Sequence, residues 1–252
     1  MSELVKNGAE APSAPEKHRR IPLLDALRGL CIILMVAYHC GYDLVAGGFI
    51  PREVLYNDFL NTLQPIFAGI FITLAGISSK FSHNNLRRGL YVLAAAIATN
   101  IATAAVLPDP ILSFKVAVGI SPIPDGGISV PVVFGILHLM AACILLYALL
   151  EKLRVTLPAA LLGAFLCFFF GIDRWPEFVG SADYFPLVPW IFLFFFGTAI
   201  GDPIRNGRLP RFFYEKDIPF LSIPGRHTLL IYIAHQPVLM GVMWLLGMIV
   251  GK

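Results

Sequence analysis

The sequence predicts an all-α integral membrane protein, a bundle of about seven transmembrane helices with its N-terminus in the cytoplasm. Of the 252 residues, 57% are hydrophobic and only 14% are charged, whereas about a quarter of the residues of an average soluble domain are charged. The apolar residues come in runs of about 18 to 25, the length that crosses roughly 30 Å of hydrocarbon at about 1.5 Å per residue. We therefore predict one membrane domain, residues 21–252.

Residues 1–20 precede the first apolar run and contain almost nothing to bury, which is typical of a disordered tail. The basic residues 17–20 also resemble the start of a signal peptide. The run that follows contains Asp25 and Arg28 and lacks an A-x-A-like cleavage site, so we expect it to be retained as the first helix.

Seven apolar runs define the predicted spans. They cover approximately residues 23–46, 59–79, 88–107, 131–150, 155–172, 187–201 and 227–250, and residues 111–120 are compatible with a re-entrant or interfacial segment. Fourteen of the 19 Lys and Arg lie in the tail and in alternate loops, whereas Arg52, Lys115, Arg174 and Lys252 lie on the other side. Because retained positive charge marks the cytoplasmic side, this alternation predicts a cytoplasmic N-terminus.

Several function classes lose support from the sequence. The basic residues are spread over separate loops, so no continuous basic face is available to bind nucleic acid. The four cysteines lie in apolar runs without CxxC pairs or metal-ligand spacing, so we expect packing roles and no metal. The motifs G-x-G-x-x-G, G-x-x-x-x-G-K-[ST], G-x-S-x-G and H-E-x-x-H are absent, which argues against Rossmann enzymes, ATPases and the usual hydrolases.

The first predicted helix carries a stripe of ionisable residues. Asp25 and Arg28 are an i,i+3 pair near its start, and His39 and Asp43 are an i,i+4 pair near its end. At about 100° per residue, Arg28 and His39 fall within about 20° of each other around the helix, so all four groups lie on one face. Ionisable side chains inside a bilayer cost several kcal/mol unless paired or hydrated, so the stripe indicates a functional site.

Two interpretations of this stripe are open. In the functional one, Arg28 grips a phosphate at a cytoplasmic mouth guarded by Asp25, and His39 is a base about 16 Å deeper. In the other, the residues form a helix-packing salt bridge and a hydrogen-bonded interior histidine. We favour the functional interpretation because four such groups share one face.

Further polar residues lie in the later spans. His138 has no local partner in the sequence, and a helix-to-helix hydrogen bond explains it as well as a substrate contact does. Asp183, Tyr184 and Trp190 belong to a proline-rich outer segment that would wall a sugar-binding mouth, although an aromatic belt at the membrane interface explains the two aromatic residues equally well.

The last span begins beside Arg226 and His227 and carries His235 and Gln236 in its middle. A helix start offers free backbone N–H groups, so Arg226 and His227 suit the phosphates of a cofactor, with lipid head groups as an equal alternative. Pro237 frees a backbone carbonyl, which makes a polar point that must be satisfied inside the bundle.

Several motifs, in their order along the chain, resemble one known family. They include L-D-A-L-R-G-L at 24–30, M-V-A-Y-H at 35–39, F-I-T-L-A-G-I-S at 71–78, F-G-I-L-H-L at 134–139 and G-R-H-T-L-L-I-Y at 225–232. This order resembles the heparan-α-glucosaminide N-acetyltransferase catalytic-domain family, in its short bacterial branch, within the transmembrane acyltransferase superfamily.

The resemblance implies a multi-pass enzyme of the cell membrane that takes an acetyl group from cytoplasmic acetyl-CoA and delivers it, through a histidine, to a sugar or glycan acceptor. The spacing of Arg28 and His39 is also similar to the R-x10-H element of the acyltransferase-3 membrane family, whose histidine is regarded as catalytic. We therefore expect His39 and Asp43 to be catalytic. The expected acetyl-CoA contacts are Asp25, Arg28, Arg226 and His227, and the expected acceptor contacts are His138, Asp183, Tyr184, Trp190, His235 and Gln236.

Two other functions remain open on the sequence. A small proton-coupled transporter would use the stripe of the first helix as a proton relay, and a non-catalytic membrane subunit would use it for packing alone. Binding of CoA separates the enzyme from the transporter. The expected partners are the lipid bilayer, acyl-CoA and the acceptor, and a homo-oligomer is compatible with the sequence.

Overall fold

The structure, a computed structural model, describes residues 21–105, 109–117, 120–122, 124, 131–170 and 183–250. These residues form α-helices joined by connections, without a β-strand among them. The helices are α1 (Pro22–Ala46), α2 (Asp58–Phe81), α3 (Asn85–Ala105), α4 (Pro110–Ala117), α5 (Ile136–Lys152), α6 (Leu157–Phe169), α7 (Leu187–Arg205), α8 (Phe212–Glu215), α9 (Pro219–Arg226) and α10 (Thr228–Val250). The predicted tail, residues 1–20, lies outside the described residues.

Five of the described helices, α1, α2, α3, α7 and α10, are long and apolar enough to cross a membrane. The predicted spans 131–150 and 155–172 correspond to α5, of 17 residues, and α6, of 13 residues. At about 1.5 Å per residue α6 is only about 20 Å long, short of the roughly 30 Å of hydrocarbon. The all-helical fold is confirmed, with five described helices long and apolar enough to span a membrane, while the number seven and the cytoplasmic N-terminus stay predictions.

The predicted start of the fourth span was wrong, because α5 begins at Ile136 and not at residue 131. The residues before it are extended and pair with a second segment: Phe134 and Tyr184 form an isolated parallel bridge, and the Phe185 N–H donates to the Phe134 carbonyl at 2.9 Å. The segment 111–120, expected to be compatible with a re-entrant or interfacial piece, overlaps α4. This helix has eight residues, packs on α3 and is too short to span a membrane.

The helices pack closely where glycines face a neighbouring backbone. A Cβ atom on Gly76 of α2 would overlap the Phe194 carbonyl of α7, and one on Gly197 of α7 would overlap the Thr73 carbonyl of α2. Small residues allow such close approach, which stabilises helix pairs in membranes through van der Waals contact. The core between α2, α5 and α7 is filled by fully buried side chains that include Ile72, Leu139 and Phe194.

One end of the bundle brings together the starts of α1 and α3 and the ends of α2, α5 and α7. Asn85 of α3 donates to Glu151 of α5 at 3.2 Å, and Lys80 of α2 pairs with Asp202 of α7 at 3.0 Å. We call this end the basic end. The other end, where α1 finishes and α5 and α7 begin, is called the opposite end. Helices α1, α2, α3 and α7 therefore alternate in direction along the chain.

Candidate functional site

A cavity of about 700 Å³ lies at the basic end, among α1, α2, α3, α5 and the junction of α9 with α10. Its polar lining includes Asp25, Arg28, Ser78, Ser82, Asn84, Arg87, Arg88, Arg226 and Thr228. Its apolar lining includes Phe71, Leu137, Met140, Leu229 and the ring of Tyr232. The cavity thus has a charged part and an apolar part, which suits a ligand that has a highly charged head and a longer, less polar arm.

The Asp25–Arg28 pair predicted from the i,i+3 spacing is present, with 2.6 Å between Arg28 Nη1 and Asp25 Oδ1. Arg28 also donates to the Ser78 hydroxyl of α2, which fixes the guanidinium across two helices. Arg226 lies 3.6 Å from the other oxygen of Asp25 and 3.3 Å from Asp217. Asp25 therefore holds two arginines at one edge of the cavity.

Arg87 and Arg88 at the start of α3 complete the charged part of the cavity, and the sequence reasoning missed their role. It assigned them only to a positively charged loop. Arg87 donates to the Tyr91 hydroxyl at 3.0 Å, and Arg88 donates to the Ser79 hydroxyl at 3.2 Å. Among the described lining residues four are arginines and only Asp25 is acidic, so the cavity carries an excess of positive charge that favours anions.

Two glycines explain why α9 can bring Arg226 to this cavity. A Cβ atom on Gly29 of α1 would overlap the carbonyl of Leu221, and a Cβ atom on Gly225 of α9 would overlap the carbonyl of Asp25. Glycine at both positions lets the two backbones touch. The residue that follows Gly225 is Arg226, so this contact sets the distance between Arg226 and Asp25.

Tyr232 connects the apolar part of the cavity to the opposite end of the bundle. Its ring lines the cavity, and its hydroxyl donates to Asp183 Oδ2 at 3.4 Å. The same carboxylate oxygen accepts the Ile136 N–H at 3.1 Å, at the start of α5, where a helix favours negative charge. Burial raises the pKa of Asp183 above its ordinary value, and these two donors oppose that shift.

One face of α10 meets the polar stripe of α1 beyond the cavity. Tyr232, His235 and Gln236 are spaced i, i+3 and i+4, so they share that face. The rings of His39 and His235 lie 5.0 Å apart between centroids, and the Gln236 amide donates to both oxygens of Asp43 at 3.2 Å each. His235 is one helical turn, about 4.5 Å, from the cavity-lining Tyr232.

Comparison with known families decides the class of the protein. The family model for the heparan-alpha-glucosaminide N-acetyltransferase catalytic region matches residues 20–237. The chain belongs to this family. Neither the curated protein sequences nor the solved structures compared with the chain give a match. The matched region contains the whole basic cavity together with the His39–His235 and Asp43–Gln236 contacts.

The family confirms the resemblance drawn from the motifs and makes the chain a membrane acetyltransferase by class. In this framework the expected donor contacts Asp25, Arg28 and Arg226 come together at one cavity. His227 does not join them: it is exposed at the junction of α9 and α10, outside the described lining. Its backbone forms the C-cap of α9.

The expected acceptor contacts of this acetyltransferase fall into two groups. His235 and Gln236 lie against α1, and Asp183 lies behind Tyr232. His138 does have a local partner, contrary to the sequence reading: its Nδ1 accepts the Gly135 N–H at 3.3 Å, and its ring stacks on Phe134 at 5.7 Å.

Tyr184 and Trp190 lie near the starts of α5 and α7 rather than beside His39. Tyr184 lies opposite Phe134 at their parallel bridge, in which the Phe185 N–H donates to the Phe134 carbonyl, and the Trp190 ring packs on Phe185 with 5.2 Å between centroids. Trp190 also lies near Gly69 of α2. Both residues therefore lie at the opposite end of the bundle, where the Trp190 ring packs between Phe185 and α2.

Proposed function

We propose that the protein transfers an acetyl or similar acyl group from cytoplasmic acyl-CoA to a sugar or glycan acceptor, at a site inside the cell membrane. The observation that carries this proposal is the cavity of about 700 Å³ whose described lining holds four arginines against one carboxylate. CoA has a phosphate-rich head and a long uncharged arm that ends in the thioester. The charged and apolar parts of the cavity match these two portions.

The phosphates of the donor bind at the charged part of the cavity, near Arg28, Arg87 and Arg226. Guanidinium groups form paired hydrogen bonds with phosphate oxygens, and such charged hydrogen bonds contribute about 1.5–3 kcal/mol each where they are shielded from water. Arg28, with 20% of its side chain exposed, is the best shielded of the three. Bound phosphate would compete with Asp25 for Arg28 and Arg226.

The arm of the donor extends past Tyr232 toward the interface of α1 and α10, where the chemistry takes place. His39 lies about 16 Å along α1 from Arg28, on the same face. It either removes a proton from the acceptor as the acceptor attacks the thioester, or carries the acyl group itself. An acyl-histidine intermediate trapped in the absence of acceptor supports the second route, whereas ternary-complex kinetics support the first.

Asp43 positions the interface rather than touching the donor. Its carboxylate is held by the Gln236 amide, and within the described residues no hydrogen bond joins Asp43 to His39. We therefore assign Asp43 to fixing α10 against α1 and to providing negative charge near the two histidines. The acceptor approaches from the opposite end, toward which Asp183 and Tyr232 lie.

Ligand-dependent stability distinguishes this function from the proton-coupled transporter. The detergent-purified protein is heated with CoA and, in parallel, with pantetheine, which lacks the nucleotide and its phosphates. We expect CoA to raise Tm, because a ligand at a hundred times its Kd adds about 2.7 kcal/mol to the free energy of unfolding. Pantetheine should have a much smaller effect. Equal, negligible effects of both ligands would favour the transporter.

A further inference from the structure

His235 is a buried histidine whose outer ring nitrogen has no partner. Only 9% of the residue is exposed, and within the described residues its Nε2 makes no hydrogen bond. A buried polar atom without a partner is destabilising, so proteins rarely keep one without a use. Nε2 of His235 is therefore available to interact with a bound group.

The hydrogen bond of the other ring nitrogen, Nδ1, determines the tautomer of the neutral His235 ring. Nδ1 contacts the backbone carbonyl of Tyr232, and a carbonyl oxygen can only accept. Nδ1 must therefore carry the hydrogen, and in the neutral ring Nε2 must carry the free lone pair. Such a contact also orients the ring and increases the basicity of the other nitrogen, as it does for histidines in metal and protease sites.

Burial disfavours a positive charge on the His235 ring, and two neighbouring groups, the Tyr232 carbonyl and Asp43, offset that cost. The His39 ring lies 5.0 Å away between centroids, and Asp43 is close enough for its negative charge to interact with the His235 ring. Both belong to α1. Toward the cavity, Tyr232 lies one turn away on α10 and connects to Asp183. A protonated His235 would be stabilised by the Tyr232 carbonyl and by Asp43.

We propose that His235 is a second acid–base residue of the acyl transfer, and that its Nε2 receives the proton which the acceptor loses. This inference rests on the proposed function and deepens it. It moves His235 from the acceptor contacts expected from the sequence to a catalytic role beside His39. The inference takes the route in which His39 carries the acyl group, so His39 is the acyl carrier and His235 is the base that receives the proton of the acceptor.

The transfer balances without any further reagent. Over the whole reaction the acceptor oxygen or nitrogen forms a bond to the acetyl carbonyl carbon, and the carbon–sulfur bond of the thioester breaks. The proton of the acceptor moves to Nε2 of His235, and it then neutralises the CoA thiolate. The products are the acetylated acceptor and CoA with a free thiol.

Two variants separate proton transfer from a structural role. His235→Asn keeps an N–H group that can donate to the Tyr232 carbonyl but has no basic nitrogen. His235→Ala leaves space for added imidazole. The assay follows CoA thiol release from acetyl-CoA with glucosamine or glucose as the probe acceptor, together with CoA affinity and Tm.

We expect His235→Asn to lower kcat by roughly 10²-fold or more, the range for loss of an acid–base group, while CoA affinity and Tm stay near the wild-type values. Added imidazoles should restore the rate of His235→Ala, and the rescued rate should rise with the basicity of the imidazole. A purely structural role would not produce that dependence.

Two results would overturn the acid–base role of His235 while leaving the proposed function intact. One is a His235→Asn variant whose kcat stays within about threefold of wild type. The other is a rescued rate of His235→Ala that does not change with the basicity of the added imidazole. Wild-type protein that binds CoA but transfers acetyl to neither sugar would overturn the proposed function itself, and the role of His235 with it.

Discussion

Gly225 of α9 touches the backbone of Asp25 in α1 so closely that a methyl group on Gly225 would overlap the Asp25 carbonyl oxygen. The contact places Arg226 within 3.6 Å of the Asp25 carboxylate. We therefore expect donor binding at the cavity to depend on a packing contact made by an uncharged residue.

Gly225→Ala is expected to force α9 away from α1. Overpacking of this kind costs about 1–3 kcal/mol of folding free energy, and the displaced Arg226 should weaken CoA binding. Gly241→Ala in α10 is the matched control, because among the described residues no atom beyond the neighbouring turns of α10 lies within 4 Å of the Cβ that it would add. Thermal unfolding and CoA binding measure both effects, and equal behaviour of the two variants would contradict the role of the contact.

Arg87→Gln tests the positive charge of the cavity. Arg87 lines the cavity, and its side chain is also exposed to solvent. Because solvent screens its charge, its contribution to CoA binding should be modest. We expect the Kd for CoA to rise about two- to tenfold. Arg208→Gln removes an exposed arginine that does not line the cavity, and it should leave the Kd unchanged. Equal Kd values for the Arg87 variant and the wild type would remove Arg87 from the donor site.

The sequence predicted the parts of this site that depend on local spacing. The Asp25–Arg28 pair follows from the i,i+3 geometry of one helix. The apolar runs predicted about seven spans, of which five correspond to helices long and apolar enough to cross a membrane. Arg226 could not be placed beside Asp25 from the sequence, because that contact depends on the close approach of α9 to α1 at Gly29 and Gly225.

The contacts that were not predicted have one feature in common. They join helices that are distant in the chain, and such contacts leave little trace in a single sequence. Arg87 and Arg88 look like ordinary positive loop charges until α3 is placed beside the cavity. The contact of Gln236 with Asp43 joins residues 193 positions apart. The i, i+3, i+4 spacing of Tyr232, His235 and Gln236 was the available signal that one face of α10 is polar.

Asp183 should make stability depend on pH. Its pKa is raised in the folded protein, so between the unfolded and folded pKa values the folded state binds more protons. Its contribution to stability is therefore greatest at low pH and is lost as pH rises through the folded pKa. Asp183→Asn, which still accepts hydrogen bonds, should flatten the dependence of Tm on pH from about 4 to neutrality. An unchanged pH dependence would contradict this assignment.

The orientation predicted from the loop charges, with the basic end in the cytoplasm, determines the expected accessibility of introduced cysteines. Arg208→Cys should react with an impermeant thiol reagent only from the cytoplasmic side, whereas Arg52→Cys should react only from outside. Both residues are exposed. The wild-type chain, with two buried and two half-buried cysteines, gives the background reaction. Labelling of both variants from the same side would contradict the alternation of the loops.

The most direct test of the central claim is acetyl transfer from acetyl-CoA to glucosamine or glucose by purified His39→Ala, with CoA affinity measured in parallel. His83→Ala, which removes an exposed histidine between α2 and α3, is the control. We predict that His39→Ala loses roughly 10²–10⁴-fold in kcat and keeps its CoA affinity, while His83→Ala matches wild type. Unchanged turnover in His39→Ala would contradict an acyltransferase whose chemistry takes place at the first helix.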